Sequence, residues 1–325
     1  MKKRRVLFSS DQKGAVIVVT AFSLLAILGL AGLAVDLGYL YVVKCELQRA
    51  ADAGAMAGAR AVYPFPLDRA TFPVNPRCSA ALVQGRAIAQ ANLTDGASPT
   101  VGTIQTGAWD WNAPHPQFNQ GCAANPFTNA VALTTRRDNL SLFLMGLLGF
   151  GPINLSASSI AVMDWVGSLE QGAAFVMVLG KKYAQQGEVY IYLNPDLLDA
   201  GGWYTKDPQI PNNNIIRGYL DNPATVPAIK KGETVNLNNG AWADVLAKLT
   251  SSYLGKTVWL PVVDTEKFNQ SGPVEGFTAF TITAVETTGH KYVKGIANPL
   301  QDAPGSLSGP GGTNYGLLTS PRLVQ

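Results

Sequence analysis

The chain has 325 residues, of which 47% are hydrophobic and only 14% charged, and its formal net charge is +3. This length is enough for two compact domains of roughly 100–200 residues each, and the hydrophobic share is high for a soluble protein. Five basic residues and one acidic residue lie within residues 1–13. The rest of the chain is therefore nearly neutral, which excludes nucleic acid as an expected partner.

The first predicted element is a membrane span. Residues 14–35 form an apolar run whose only polar members are Thr20 and Ser23. As a helix at ~1.5 Å per residue this run is ~33 Å long, enough to cross a hydrocarbon core of ~30 Å. The positive-inside rule places the basic leader, residues 1–13, in the cytoplasm and the rest of the chain outside it. A cleaved signal peptide, which has a shorter apolar region, is the disfavoured alternative.

The helical pattern continues beyond the span and predicts one helix over residues 14–61. Its outer part carries small residues at four-residue spacing, which let another backbone approach closely. Asp36 ends the apolar run, and because a carboxylate facing lipid is costly, we expect it at the interface. Orientation of the helix in a complex by Asp36, paired with a basic group of a neighbour, is the alternative. Self-association through the small-residue face and docking on the chain's own outer domain are both open. The candidate packing residues are Gly29, Gly32, Asp36, Ala50, Gly54 and Gly58.

This segment, with "GLAVDLG" at its centre and "ELQRAADAGAMAGA" at its end, resembles the N-terminal module of the TadG-like Flp pilus-assembly proteins. The resemblance implies a bacterial inner-membrane protein of tight-adherence pili or a related envelope secretion system. Its implied partners are the lipid bilayer and other pilus or secretion-system proteins. Prepilins, by contrast, carry glutamate at the fifth mature position, where this chain has Val19. Cleavage after Gly14 is therefore not expected.

Residues 62–166 predict a small α+β domain outside the cytoplasm. A helix is expected over residues 79–93, and strands within residues 100–111, 128–137 and 153–165. The stretch 140–150 contains a nine-residue apolar run, 142–150, which is too short to span a bilayer. A core helix is therefore predicted, with a helix lying on the membrane surface as the alternative.

The cysteines of the chain fit an oxidising compartment. Cys78 and Cys122 flank the predicted domain, and a disulfide between them is the expected pairing outside the cytoplasm. Cys45 lies in the outer part of the first helix. A bond between two copies and a buried free thiol are both open for it.

Residues 167–300 predict a β-rich domain with one helix at 241–255, closed by Gly255. The turn formers in residues 195–224 predict a surface loop that contains Trp203 and Tyr204, the candidate ligand-binding residues. The Gly/Pro/Ser-rich end, residues 301–325, predicts a flexible tail. The fold class is therefore α+β: a long transmembrane helix, a small α+β domain and a β-rich C-terminal domain.

No catalytic, metal or cofactor site is predicted. His115 and His290 belong to no zinc or catalytic motif. Four acidic residues of the predicted loop have no EF-hand spacing, so solvated carboxylates are favoured over a calcium site; they are Asp196, Asp199, Asp207 and Asp221. A tethered adhesion module and an enzyme without a known motif are the alternatives to an assembly component.

Two tryptophans near the end of the first predicted strand raise a further alternative. Trp109 and Trp111 alternate along it and therefore share one face. Core packing is favoured for this pair over an exposed platform for sugar or protein.

Overall fold

The structure, a computed structural model, describes residues 12–63, 76–111, 113–123, 127–184, 187–193, 200–298, 301–302, 306–307, 313 and 315–324. Its helices are α1 (Gln12–Ala61), α2 (Cys78–Ala91), α3 (Asn213–Asp221) and α4 (Ala243–Ser252). Its strands are β1 (Thr100–Asp110), β2 (Gln117–Gln120), β3 (Ala130–Leu140), β4 (Ile153–Val162), β5 (Ser168–Leu169), β6 (Met177–Gly180), β7 (Glu188–Tyr192), β8 (Gly201–Lys206), β9 (Ile229–Lys230), β10 (Thr234–Asn238), β11 (Thr257–Val263), β12 (Ser271–Glu286), β13 (Tyr292–Asn298), β14 (Gln301–Asp302), β15 (Ser306–Leu307), β16 (Leu317–Leu318) and β17 (Arg322–Leu323).

Helix α1 is continuous over 50 residues, about 75 Å at ~1.5 Å per residue. Its first half exposes nearly all of its large apolar side chains, from Val16 to Leu37. From Val43 onward, one face of the same helix is buried against the chain's own outer domain. The single long helix predicted from the sequence is thus confirmed. Its first half is an exposed apolar helix, and its second half is part of a folded domain.

The first domain after the apolar run, called here the first outer domain, is an antiparallel sheet covered on one face by two helices. The strand order is β17-β4-β3-β1-β2, and α1 packs against β3, β4 and α2. Its core is made of small helix residues facing branched sheet residues, among them Ala51, Ala55, Val131 and Leu133. The predicted α+β arrangement is confirmed.

The second outer domain is built on a seven-stranded sheet of order β10-β8-β6-β11-β12-β13-β7. Strand β10 also pairs with β12, so that β12, β10, β8, β6 and β11 form a closed ring of strands. The predicted helix near residues 241–255 is present as α4, and Gly255 after it has a positive φ of 78°.

Three expectations about local structure are wrong. Residues 140–150 form no core helix: β3 runs to Leu140, and Gly146–Leu148 makes one 3-10 turn with exposed side chains, because the glycines of this stretch disfavour a longer helix. The predicted surface loop contains strand β8 and helix α3, which Asn212 caps by accepting a hydrogen bond from the Ile215 amide at 3.1 Å.

The predicted flexible tail is ordered over residues 315–324. Strand β17 pairs with β4, and Leu317 and Leu318 are buried. Apolar residues after the Gly/Pro-rich stretch explain this, because their burial offsets the entropy cost of ordering the chain.

Candidate functional site

The buried carboxylate of Asp36 holds the loop between β3 and β4 against α1. Its Oδ1 accepts hydrogen bonds from the backbone amides of Phe143 at 2.7 Å and Leu144 at 3.3 Å. Its Oδ2 accepts from Leu144 at 3.1 Å and Met145 at 2.6 Å. Asp36 is only 2% exposed. Three successive amides directed at one carboxylate form a backbone nest, which replaces the water that Asp36 has lost.

The loop held in this way, residues 141–151, is called here the apolar loop. Leu144 packs on Gly32, where an added Cβ would lie only 2.9 Å from the Leu144 Cβ. The Phe143 ring meets Tyr39 edge-on, with 5.0 Å between ring centroids. A cavity of about 270 Å³ lies between this loop and α1, lined by Leu25, Leu28, Gly29, Ala31, Gly32, Leu144, Leu147 and Leu148. Of the predicted packing residues, Gly32 and Asp36 therefore contact the loop, and Gly29 lines the cavity.

The small-residue face farther along α1 is filled by the chain itself. An added Cβ at Gly54 would lie 2.7 Å from the Ala89 Cβ and 2.8 Å from the Gly85 carbonyl oxygen of α2. At Gly58 it would lie 2.9 Å from a Val131 methyl group of β3, and Ala50 is fully buried. The hypothesis of self-association through Ala50, Gly54 and Gly58 is wrong, because α2 and the sheet occupy this face.

Polar contacts fix the rotation of α1 on the domain. Thr135 Oγ1 donates to the Leu47 carbonyl at 2.9 Å within the core. Just beyond the apolar run, the Tyr39 hydroxyl donates to Asp95 Oδ2 at 2.9 Å, and the Asp95 amide donates to Glu46 Oε2 at 2.8 Å. The first outer domain thus makes polar contacts with α1 both through β3 and through the turn at Asp95.

Within the single chain, the three cysteines form one disulfide and one free thiol. A disulfide joins Cys78, at the start of α2, to Cys122, after β2. Cys45 is a free, half-buried thiol on α1.

Trp109, near the end of β1, and Trp111, directly after it, form an aromatic pair, of which Trp111 contacts the C-terminal segment. Trp109 and Trp111 meet edge to face with 5.8 Å between centroids, and both are half-buried. Trp111 Nε1 donates to Asp164 Oδ2 at 2.6 Å, and the Arg322 guanidinium lies 4.7 Å from the Trp111 ring centroid. Burial raises the pKa of Asp164, although hydrogen bonds from Trp165 and Trp111 and the charge of Arg322 act in the opposite direction. This cluster fastens the end of the chain to the first sheet.

The proposed ligand residues are core residues. Trp203 and Tyr204 lie in β8 and are fully buried, and Trp203 Nε1 donates to the Gly240 carbonyl at 2.7 Å. The prediction of a ligand-binding loop there is wrong, because large aromatic side chains within a central strand gain more from burial than from exposure.

The remaining candidates for chemistry do not come together in the described part of the chain. No group of three His, Cys, Asp or Glu residues among the described residues could hold a metal ion. His115 and His290 are exposed. Asp221 pairs with Lys248 at 2.8 Å and Arg217 at 2.9 Å, and these hydrogen bonds lower its pKa. Asp207 lies 3.3 Å from the Asn236 amide, and Asp196 and Asp199 lie outside the described residues.

Sequence reasoning missed the nest that receives Asp36. Backbone amides carry no sequence signal, but one clue was present: the chain contains no ionisable residue between Asp138 and Asp164. An uncharged, leucine-rich stretch in a chain with an apolar anchor is suited to a position next to that anchor.

Comparison with known families agrees with this architecture. The family model described as putative Flp pilus-assembly TadE/G-like matches residues 14–61, which is α1 almost in full. The model described as putative Tad-like Flp pilus-assembly matches residues 68–161, which include α2 and β1 to β3 and nearly all of β4. No curated protein and no solved structure matches the chain. By length and composition, the helix Val16–Ala61 is able to cross a membrane. The N-terminal part of the chain therefore matches two models of the Tad family of Flp pilus-assembly proteins, over residues 14–61 and 68–161.

Proposed function

We propose that this protein is a single-pass inner-membrane component of a tight-adherence pilus or a related envelope secretion system. Residues 1–13 lie in the cytoplasm and both outer domains lie in the periplasm. One observation carries the proposal: α1 is at once the apolar span and the central packing helix of the first outer domain. Such a helix fixes the height and orientation of the outer domains above the membrane.

The exposure of α1 supports a span. A core helix of a soluble protein buries its apolar face, whereas the large apolar side chains from Val16 to Leu30 are exposed around the helix. The basic leader before the helix supports a cytoplasmic N-terminus. The Cys78–Cys122 disulfide supports an oxidising compartment for the outer domains.

The proposal assigns the protein a structural role, without catalysis. Both family models describe pilus assembly, and the packing face of α1 is used within the chain. Contacts with other pilus proteins are therefore made by the outer surfaces of the two domains and by the exposed part of α1.

A complementation experiment tests the role and the need for the anchor together. The gene is deleted, and the strain is then supplied with either the full chain or a released form. In the released form, a cleavable signal peptide replaces residues 1–35. We expect surface pili and tight adherence to be lost on deletion and restored by the full chain only, with immunoblots showing equal amounts of both forms.

Two results would contradict the proposal. Unchanged pili in the deletion strain would remove the assembly role. Full restoration by the released form would remove the requirement for a membrane anchor.

A further inference from the structure

We propose that the apolar loop, residues 141–151, inserts into the outer leaflet of the membrane beside α1, with lipid acyl chains as its partner. This inference rests on the proposed function, which places α1 across the membrane. It gives the protein a second, non-helical membrane contact supplied by the outer domain.

The composition and exposure of the loop carry the first step. The stretch from residue 139 to residue 163 contains no ionisable residue. Leu147 is 82% exposed, which leaves almost its whole side chain without protein contacts. Large contiguous apolar surfaces are rare in contact with water and mark sites of interaction with a membrane or a protein. The exposed large apolar side chains of the loop are Phe143, Leu144, Leu147, Leu148 and Phe150.

The position of the loop selects lipid among these partners. Leu147 and Leu148 line one cavity with Leu25 and Leu28 of α1, so the exposed surface of the loop continues the exposed surface of the span. Leu28 precedes Asp36 by eight residues, or about 12 Å along a helix that rises ~1.5 Å per residue. With Asp36 near the interface, the tip of the loop lies at the depth of acyl chains.

Most backbone amides of the loop have a hydrogen-bond partner within the protein. An unpaired backbone polar group is costly in hydrocarbon, where no water replaces the missing partner. Asp36 accepts hydrogen bonds from the amides of residues 143, 144 and 145. The amides of residues 147, 148, 149 and 150 donate to carbonyls of Leu144, Met145 and Gly146 within the loop. A loop exposed to water would not need this satisfaction, because water supplies the partners.

Depth-dependent fluorescence quenching tests the insertion. The full chain with Cys45→Ser is reconstituted into phosphatidylethanolamine–phosphatidylglycerol vesicles, with the disulfide kept oxidised, and a single Leu147→Cys is labelled with an environment-sensitive dye. Leu25→Cys, at a position 66% exposed, reports on the span, and Val83→Cys, 69% exposed on α2, is the matched outer-domain control. Lipids with a spin label on the acyl chain quench dyes in hydrocarbon, and iodide quenches dyes in water.

We expect the lipid-borne label to reduce fluorescence at positions 147 and 25, and iodide to reduce it at position 83. If the lipid-borne label quenches position 25 while iodide quenches position 147, the inference is overturned and the membrane anchor is retained. Absence of lipid quenching at both positions overturns the anchor and the inference together. If neither quencher reaches position 147 and dyes on different copies quench each other, the partner of the loop is a second copy of the chain. This result also overturns the inference.

Discussion

Asp36 is the residue on which the junction of span and outer domain depends. A carboxylate at the end of an apolar helix is costly unless it is paired, and here its partners are three backbone amides of one loop. The sequence suggested a basic group of a neighbour as the partner of Asp36, whereas the partners in the structure are backbone amides of the same chain. In the structure, the residue that interrupts the apolar run also holds the apolar loop against α1.

Replacement of Asp36 by asparagine tests this role. In Asp36→Asn, one acceptor oxygen becomes an NH₂ group, so at least one loop amide loses its partner. We expect the free energy of unfolding to fall by about 1–3 kcal/mol, the typical cost of an unsatisfied buried donor. The measurement is the melting temperature of the full chain in detergent, with Glu170→Gln, an exposed carboxylate of the second domain, as control. Equal melting temperatures for the two variants would show that the nest contributes nothing to stability.

At the scale of elements, the pairing of α1 with α2 depends on glycines that face each other. Gly54 and Gly85 each lie where an added Cβ would approach the other's carbonyl oxygen to 2.9 Å or less. The four-residue spacing of small residues correctly predicted close packing of α1. This spacing does not show whether the second backbone belongs to another copy or to the same chain. Close packing needs small side chains in either case.

A pair of glycine-to-alanine changes separates packing from helix propensity. Alanine favours a helix interior by up to ~1 kcal/mol over glycine, and Gly38 has no atom within 4 Å of an added Cβ, so Gly38→Ala should maintain or raise the melting temperature. Gly54→Ala should lower it, since overpacking costs about 1–3 kcal/mol. Differential scanning fluorimetry of the full chain in detergent measures both. A rise in both variants would contradict the close packing of α1 on α2.

Other elements show how far sequence patterns reach in this chain. Sequence patterns correctly predicted the helices α1 and α2, from their helical period, and the strands β1, β3 and β4, from their alternation. Both kinds of pattern follow from local geometry. The apolar loop was predicted to be a core helix. The composition of a nine-residue apolar run does not show what surrounds it in the folded protein. Strand β8 was missed because Gly201 and Gly202 precede Trp203 and imitate a turn.

At the scale of the whole molecule, two chain segments connect the parts. Helix α1 joins the exposed apolar run to the first outer domain, and residues 315–324 join the first outer domain to the second. Leu318 belongs to the core beneath the first sheet and Leu317 to the core of the second domain. The Thr319 amide donates to the Asp164 carbonyl at 2.9 Å and its hydroxyl accepts from the Asp164 amide at 3.1 Å. A tail read from composition as flexible thus holds the two domains together.

The central claim is that one uncleaved helix, α1, both anchors the protein and supports its outer domain. The intact mass of the protein extracted from membranes tests it most directly. The account predicts a mass that includes the basic leader, residues 1–13, together with the whole of α1. A mass that lacks the residues up to about Ala34 would mean that the span is removed as a signal peptide, and would contradict the claim.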